Sequence, residues 1–300
     1  MAFSSLRSLM GASSGGGGNP YAIFGYGYSG SASSLTNLVS NAGIVSTDTT
    51  GVGTARDGIA AAGYGTDKAI FGYGYAGSNV SLTNLVSNAG IVSTDTTGVG
   101  SARNGLAAAG YGTDKAIFGY GHTGSRASLT NLVSNAGVVA TDTTGVGTPR
   151  NALAAAGYGT DKAIFGYGYT GSVSSLTNLV SNAGVVATDT TGVGTARDGI
   201  AAAGYGTDKA IFGYGYAGSN VSLTNLVSNA GIVSTDTTGV GSARNGLAAA
   251  GYGTDKAIFG YGHTGSRASL TNLVSNAGVV ATDTTGVGTP RNVLAAASYG

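Results

Sequence analysis

Cysteine, tryptophan and glutamate are all absent from this chain of 300 residues. Without cysteine there is no disulfide, no thiolate nucleophile and no thiolate metal ligand. Charge is scarce as well: charged residues make up 9% of the chain, and the formal net charge is +1. That leaves no basic stripe to neutralise phosphates, so nucleic acid is not expected as a partner. Long apolar runs are also missing. Nothing approaches the roughly 20 apolar residues of a membrane helix, and Met1 to Met10 lacks the continuous apolar run of a signal peptide. Membrane insertion and secretion by a leader are therefore not expected. Proline occurs 3 times but glycine 56 times. So much glycine without a collagen triplet can mean a low-complexity chain. The 42% hydrophobic content and 17 tyrosines point instead to a packed fold.

What is present is a repeat. The stretch Asp114-Lys115-Ala116-Ile117-Phe118-Gly119-Tyr120-Gly121 recurs with its phenylalanine at Phe24, Phe71, Phe118, Phe165, Phe212 and Phe259, always 47 residues apart. A fixed period in this range marks a solenoid or a propeller. Each period reads as four short strands, here a to d: Gly105–Gly110, Lys115–Tyr120, Leu129–Ser134 and Val138–Thr143. Turn signals separate them at Gly112-Thr113-Asp114, Asn135-Ala136-Gly137 and Gly145-Val146-Gly147. A helical repeat is the rival, but glycine and threonine inside the elements argue against it. In strand b the period of two places Phe118 and Tyr120 on one face and Ile117, Gly119 and Gly121 on the other. Sheets stacked face to back then bury each aromatic face against the next sheet's glycine face. A buried aromatic returns roughly 1.5–3 kcal/mol, more than the roughly 0.5–1 kcal/mol that an interior glycine costs. The alanines at 107–109 suit an innermost strand crowding a central axis.

Tyr21 to Gly300 is two residues short of six whole periods. The repeats begin at strand b (Tyr21-Ala22-Ile23-Phe24) and end at strand a (Leu294 to Ala297), so the last strand can complete the first sheet. An open solenoid would need polar caps, and none is present. The expectation is an all-β, six-bladed β-propeller of four-stranded blades over residues 21–300, closed by its two termini in one blade. Residues 1–20, ending in a run of glycines at 15–18, read as a tether and flexible linker. Above the period lies a second one: residues 47–151 are identical to 188–292, so near two-fold symmetry is expected.

Chemistry is sparse. An Asp (Asp48, Asp95, Asp142, Asp189, Asp236, Asp283) and an Arg (Arg56, Arg103, Arg150, Arg197, Arg244, Arg291) occur once per repeat. They suit a structural ladder, with an anion-binding ring of arginines as the functional alternative. His122 and His263 are the only histidines, one per half, so no metal site and no Ser-His-Asp arrangement follows from them. No phosphate-loop pattern is present. No cofactor and no catalysis are expected. The copies differ mainly after strand b and before strand a, in loops that leave one side of an antiparallel blade. That face is the candidate ligand surface. Its candidates are Tyr28, Tyr75, His122, Tyr169, Tyr216 and His263, with Asn79, Arg126, Asn220 and Arg267 beside them, suited to stacking on sugars and hydrogen-bonding their hydroxyls.

The run Gly147-Thr148-Pro149-Arg150, followed by Ala154-Ala155-Ala156 and Asp161-Lys162-Ala163-Ile164-Phe165-Gly166, resembles the kelch repeat across all six periods. It departs from that pattern in having Gly-Tyr-Gly for the double glycine and no outer-strand tryptophan. Kelch-like repeats serve binding proteins and oxidases alike; the oxidase reading would need a cysteine-linked cofactor that this chain cannot supply. The segment Met1-Ala2-Phe3-Ser4-Ser5-Leu6-Arg7-Ser8-Leu9-Met10-Gly11 is similar to the start of some bacteriophage virion proteins. These resemblances imply a non-enzymatic virion protein, assembled in the host cytoplasm, that docks to other virion proteins through residues 1–18. As a tail fibre or decoration protein it would bind surface carbohydrate or protein of the host. A stand-alone lectin-like or scaffold propeller, natural or designed, is the alternative.

Overall fold

The computed structural model describes residues 20–300, so the tether at 1–18 and its docking role lie outside the described residues. All regular structure in the described part is β. Strands β1 (Tyr21–Gly25) and β2 (Thr36–Val39) come first. The second repeat holds β3 (Ala60–Tyr64), β4 (Lys68–Gly72) and β5 (Thr83–Val86). The third holds β6 (Ala107–Tyr111), β7 (Lys115–Gly119) and β8 (Thr130–Val133). The same pattern continues in β9 (Ala154–Tyr158), β10 (Lys162–Gly166) and β11 (Thr177–Val180), then in β12 (Ala201–Tyr205), β13 (Lys209–Gly213) and β14 (Thr224–Val227). It ends with β15 (Ala248–Tyr252), β16 (Lys256–Gly260), β17 (Thr271–Val274) and β18 (Ala295–Tyr299).

These strands form six antiparallel sheets of three. Five are consecutive in sequence; the sixth has the order β18-β1-β2. There Tyr21 pairs with Tyr299 and Phe24 with Ala296, in the register that Lys115–Tyr111 and Phe118–Ala108 keep within the third repeat. Each a strand also packs against the a strands of the repeats before and after it, β3 on β6, β6 on β9, and so on to β18 on β3.

The fourth strand is the first correction. Residues 138–143 contribute isolated bridges, Val133 with Val139 and Thr130 with Thr143, rather than a continuous ladder. The cause is the Asn131 side chain, whose Nδ2 donates to the Ala140 carbonyl at 3.0 Å and to Asp142 Oδ1 at 2.9 Å. A side-chain amide thus takes the partner that a ladder would have used.

The expected docking of aromatic onto glycine holds in all six sheets. A Cβ placed on Gly119 would lie 2.6 Å from the tip of Phe165, and the same is true of Gly72 with Phe118 and Gly260 with Phe24. The second correction concerns Tyr120, which does not share the face of Phe118. Its φ of 65° is left-handed, and this reverses the alternation at the strand end. Phe118 points back to Tyr73 and Gly72, while Tyr120 points forward to Phe165, edge to face at 5.2 Å. Each sheet therefore presents phenylalanine on one side and tyrosine on the other, and the two meet between neighbouring sheets.

Candidate ligand-binding face

Two loops build the face. After β7 the chain turns through Tyr120 and Gly121 and curls back, the Ala127 amide donating to the Gly121 carbonyl at 2.8 Å. The segment before β6 meets this loop at a single pair: the His122 amide donates to the Asn104 carbonyl at 2.9 Å, and the Asn104 amide donates to His122 at 3.2 Å. Every repeat has this pair, as Asp57 with Tyr75, Asn151 with Tyr169, Asp198 with Tyr216, Asn245 with His263, and Asn292 with Tyr28. The six sequence-derived aromatic candidates thus occupy equivalent positions on one side of the molecule.

A hydrogen-bonded circuit runs beneath them. The amide of Gly105 donates to Gly58, Ala152 to Gly105, Gly199 to Ala152, Gly246 to Gly199 and Val293 to Gly246, at 2.7 to 2.9 Å. Gly58 then donates to Val293 at 3.0 Å, which returns the series to its first member. A second such series joins the a–b turns at the far end of the strands. It runs from Gly65 to Asp114 at 2.7 Å and ends through Gly253 to Pro20 at 3.1 Å and Gly300 to Asp67 at 2.8 Å.

Above the first circuit, four of the six repeats reach the next through the residue four places after the aromatic. Asn79 Nδ2 donates to the His122 carbonyl and Asn220 Nδ2 to the His263 carbonyl, both at 2.9 Å. Arg126 lies over the Tyr169 ring, 5.3 Å from its centre, and Arg267 over Tyr28 at 4.7 Å. All ten candidates are therefore brought together on this face, but four of them are spent on contacts within it.

The repeated arginines are not part of it. Each is wholly buried. Arg103 stacks on Tyr73 at 4.3 Å from the ring centre and donates from Nε to the Tyr120 carbonyl at 2.8 Å. It also donates to Asn131 Oδ1 and to the Ser101 carbonyl, and lies 3.6 Å from Asp142. The anion-binding alternative is excluded because none of these six guanidinium groups reaches solvent. Burial pulls the Arg103 pKa down, against the opposing pull of Tyr73 and Asp142. Burial also pushes the Tyr120 hydroxyl up to about 12, partly countered by Arg150. For Asp142, burial acts upward, but hydrogen bonds from the Ser101 hydroxyl, Asn131 and the Ser101 amide, with the charge of Arg103, leave its pKa below the usual carboxylate value. The same pairing is made between the two ends of the chain, where Arg291 lies 3.4 Å from Asp48.

Two residues went unnoticed in the sequence. Asp57 and Asp198 stand at the position held by asparagine in the other four repeats, and burial raises the pKa of both carboxyls. Their alternation with Asn104 and Asn151 was the available signal. On the opposite side, the c–d turns expose one β-branched residue per repeat, with Ile44, Ile91 and Ile232 at 69% and Val138, Val185 and Val279 at 66%. Beside them lie apolar grooves with volumes such as 490 Å³, where Tyr64, Leu85 and Ile91 meet Asn135 and Ala136 of the next repeat.

Among the described residues no group of three or more His, Cys, Asp or Glu converges to hold a metal ion, and no helix is long and apolar enough to cross a membrane. No known family model matches the chain, and no curated protein matches it in sequence. What the face can do chemically is stack on a flat ligand and exchange hydrogen bonds with it.

Proposed function

We propose that the chain is a closed six-bladed propeller, each blade holding three strands and a bridged fourth segment, that serves as a non-enzymatic adhesion or decoration protein on a bacteriophage particle. The ring is supported by the β18–β1 pairing, the two returning hydrogen-bond circuits and the Arg291–Asp48 pair. The kelch-like residues and the virion-like N-terminal segment support the rest.

One observation carries the display role. Pro20, where the described chain begins, accepts the Gly253 amide in the a–b turn circuit, at the end of the strands away from the candidate face. A propeller entered from that end presents Tyr75, Tyr216 and their neighbours outward. Exposed tyrosines among Ser, Asn and Gly loops suit carbohydrate, each offering an apolar ring face with hydroxyl-bonding groups beside it. A host surface glycan is therefore the proposed ligand, with a host surface protein as the other occupant of that role. A stand-alone lectin-like ring is the second reading, favoured by the exact doubling of residues 47–151 in 188–292.

Removing residues 1–18 tests the display role. The shortened chain is expected to keep its melting temperature and its glycan-array profile while disappearing from purified particles, as read by mass spectrometry. Continued incorporation removes the tether. Absence of the full-length chain from particles, with glycan binding retained, favours the stand-alone ring.

A further inference from the structure

The six aromatic positions on the candidate face are not equivalent. Tyr28 and Tyr169 each carry an arginine from the preceding repeat over the ring. His122 and His263 each have their backbone carbonyl held by an asparagine from the preceding repeat. Before Tyr75 and Tyr216, however, the residue in that position is Ala32 and Val173, too short to reach across. No side chain of the preceding repeat covers these two tyrosines, which are 41% and 39% exposed against 36% for Tyr169 beneath Arg126.

The same two repeats carry the two aspartates. Asp57 and Tyr75 exchange both backbone hydrogen bonds, at 3.1 and 2.7 Å. Residues paired in this way project their side chains to the same side, with Cβ atoms about 5.5 Å apart. Asp198 and Tyr216 are paired identically, at 3.1 and 2.8 Å. Among the described residues, neither carboxylate receives a side-chain hydrogen bond or an ion pair, in contrast to the six network aspartates. A free ring face and an unpaired acceptor thus stand side by side at two places, three repeats apart.

Resting on the carbohydrate reading above, we propose that the ring carries two equivalent sugar sites, one on Tyr75 and Asp57 and the other on Tyr216 and Asp198. In each, the sugar's apolar face lies on the tyrosine and two of its hydroxyls donate to the carboxylate. Burial raises the carboxyl pKa without any protein donor to offset it, so a ligand hydroxyl supplies the missing bond. Bivalence follows from the doubling of the sequence, and it favours repetitive surface polysaccharide over a single receptor molecule.

Isothermal titration with soluble neutral oligosaccharides of glucose, galactose and N-acetylglucosamine units tests this. Two sites per chain are expected. Asp57→Asn should leave one site of unchanged affinity, and Asp57→Asn with Asp198→Asn together should weaken binding about tenfold or more. Both variants will fold, because asparagine already stands at this position in the other four repeats. One site or six sites per chain, or binding indifferent to the two substitutions, overturns the two-site proposal and leaves carbohydrate recognition standing. No binding to any sugar of the panel or of a glycan array overturns the carbohydrate reading itself. Displacement of bound sugar by millimolar tetramethylammonium shows the pair to be a cation site and overturns the proposal as well.

Discussion

Single residues set how this protein responds to acid. Asp48, Asp95, Asp142, Asp189, Asp236 and Asp283 all have pKa values held below their ordinary one. A carboxyl depressed in the folded state contributes stability above its unfolded pKa, and that contribution disappears as pH falls through the folded value. Asp57 and Asp198 work in the other direction: their raised values make the folded chain bind more protons, so they weaken it as pH rises above the ordinary carboxylate range. Calorimetry in pH steps is expected to show the melting temperature of the Asp57→Asn, Asp198→Asn double variant above that of the parent at pH 7. That gap should close towards about pH 4, and both proteins should lose stability steeply below it. A double variant less stable than the parent at pH 7 would mean the carboxylates make contacts of their own. Backbone strain is also local. Val293 sits at φ 53° in the circuit, where four repeats have glycine and one has Ala152. A β-branched residue is costly in the left-handed region, so Val293→Gly should raise stability by about 1 kcal/mol in denaturant melts. A loss of similar size would show that the side chain, 39% exposed, is held by contacts worth more than its strain.

At the scale of the strand, the decisive pair is a glycine and the phenylalanine ring of the next sheet. Gly119→Ala forces a methyl into the Phe165 ring and should cost about 1–3 kcal/mol. Shortening the ring with Phe165→Leu removes the obstructing atom, so a double-mutant cycle should return a favourable coupling of about 0.5–3 kcal/mol. Additive losses would mean that the two sheets do not meet here. This contact was legible in the sequence, because an alternating strand that is bulky on one side and bare on the other can satisfy itself only against a copy of itself. The period, the a, b and c strands and the joining of first and last strands were legible for the same reason. Tyr120 was not, since nothing in Gly-Tyr-Gly announces that the tyrosine joins the following glycine at positive φ. Strand d was misread because the capture of the Ala140 carbonyl by Asn131 leaves no periodic trace. The loop face could be placed from where the copies differ. Which of its tyrosines are uncovered could not, because that depends on a side chain 43 residues earlier, Ala32 before Tyr75 and Arg126 before Tyr169.

For the whole molecule, the question is whether the two chain ends are an ordinary junction between repeats or a special one. Several interactions found in the other repeats recur across the ends: the Gly260–Phe24 contact, the Phe24–Tyr261 ring pair at 5.2 Å, the Arg291–Asp48 ion pair, and both backbone circuits. The covalent a–b turn is lacking, as is a partner for Arg291 Nε, and Tyr21 and Tyr299, with ring centres 5.8 Å apart, stand where the turn's ends would be. The proposed ring, if its junctions are equivalent, is indifferent to where it is cut. A circular permutant that joins Tyr299 to Tyr21 through Gly-Thr-Asp and opens instead between Gly206 and Asp208 should therefore fold to the same structure. Joining the original ends restores the turn and shortens the loops of the unfolded chain, while the new cut removes the same turn elsewhere. The two losses and gains nearly cancel, and the melting temperatures should agree within about 4 °C, the shift that 1–2 kcal/mol produces in a chain of this length. Deleting β18 is the contrasting case. It strips the antiparallel partner from β1 and the packed neighbours from β3 and β15, leaving two sheet edges that invite pairing with other chains. That protein should melt at least about 10 °C lower and run as higher oligomers in sedimentation. A permutant that fails to fold, or a truncated chain that stays monomeric and stable, would place the source of cohesion within single repeats rather than between them.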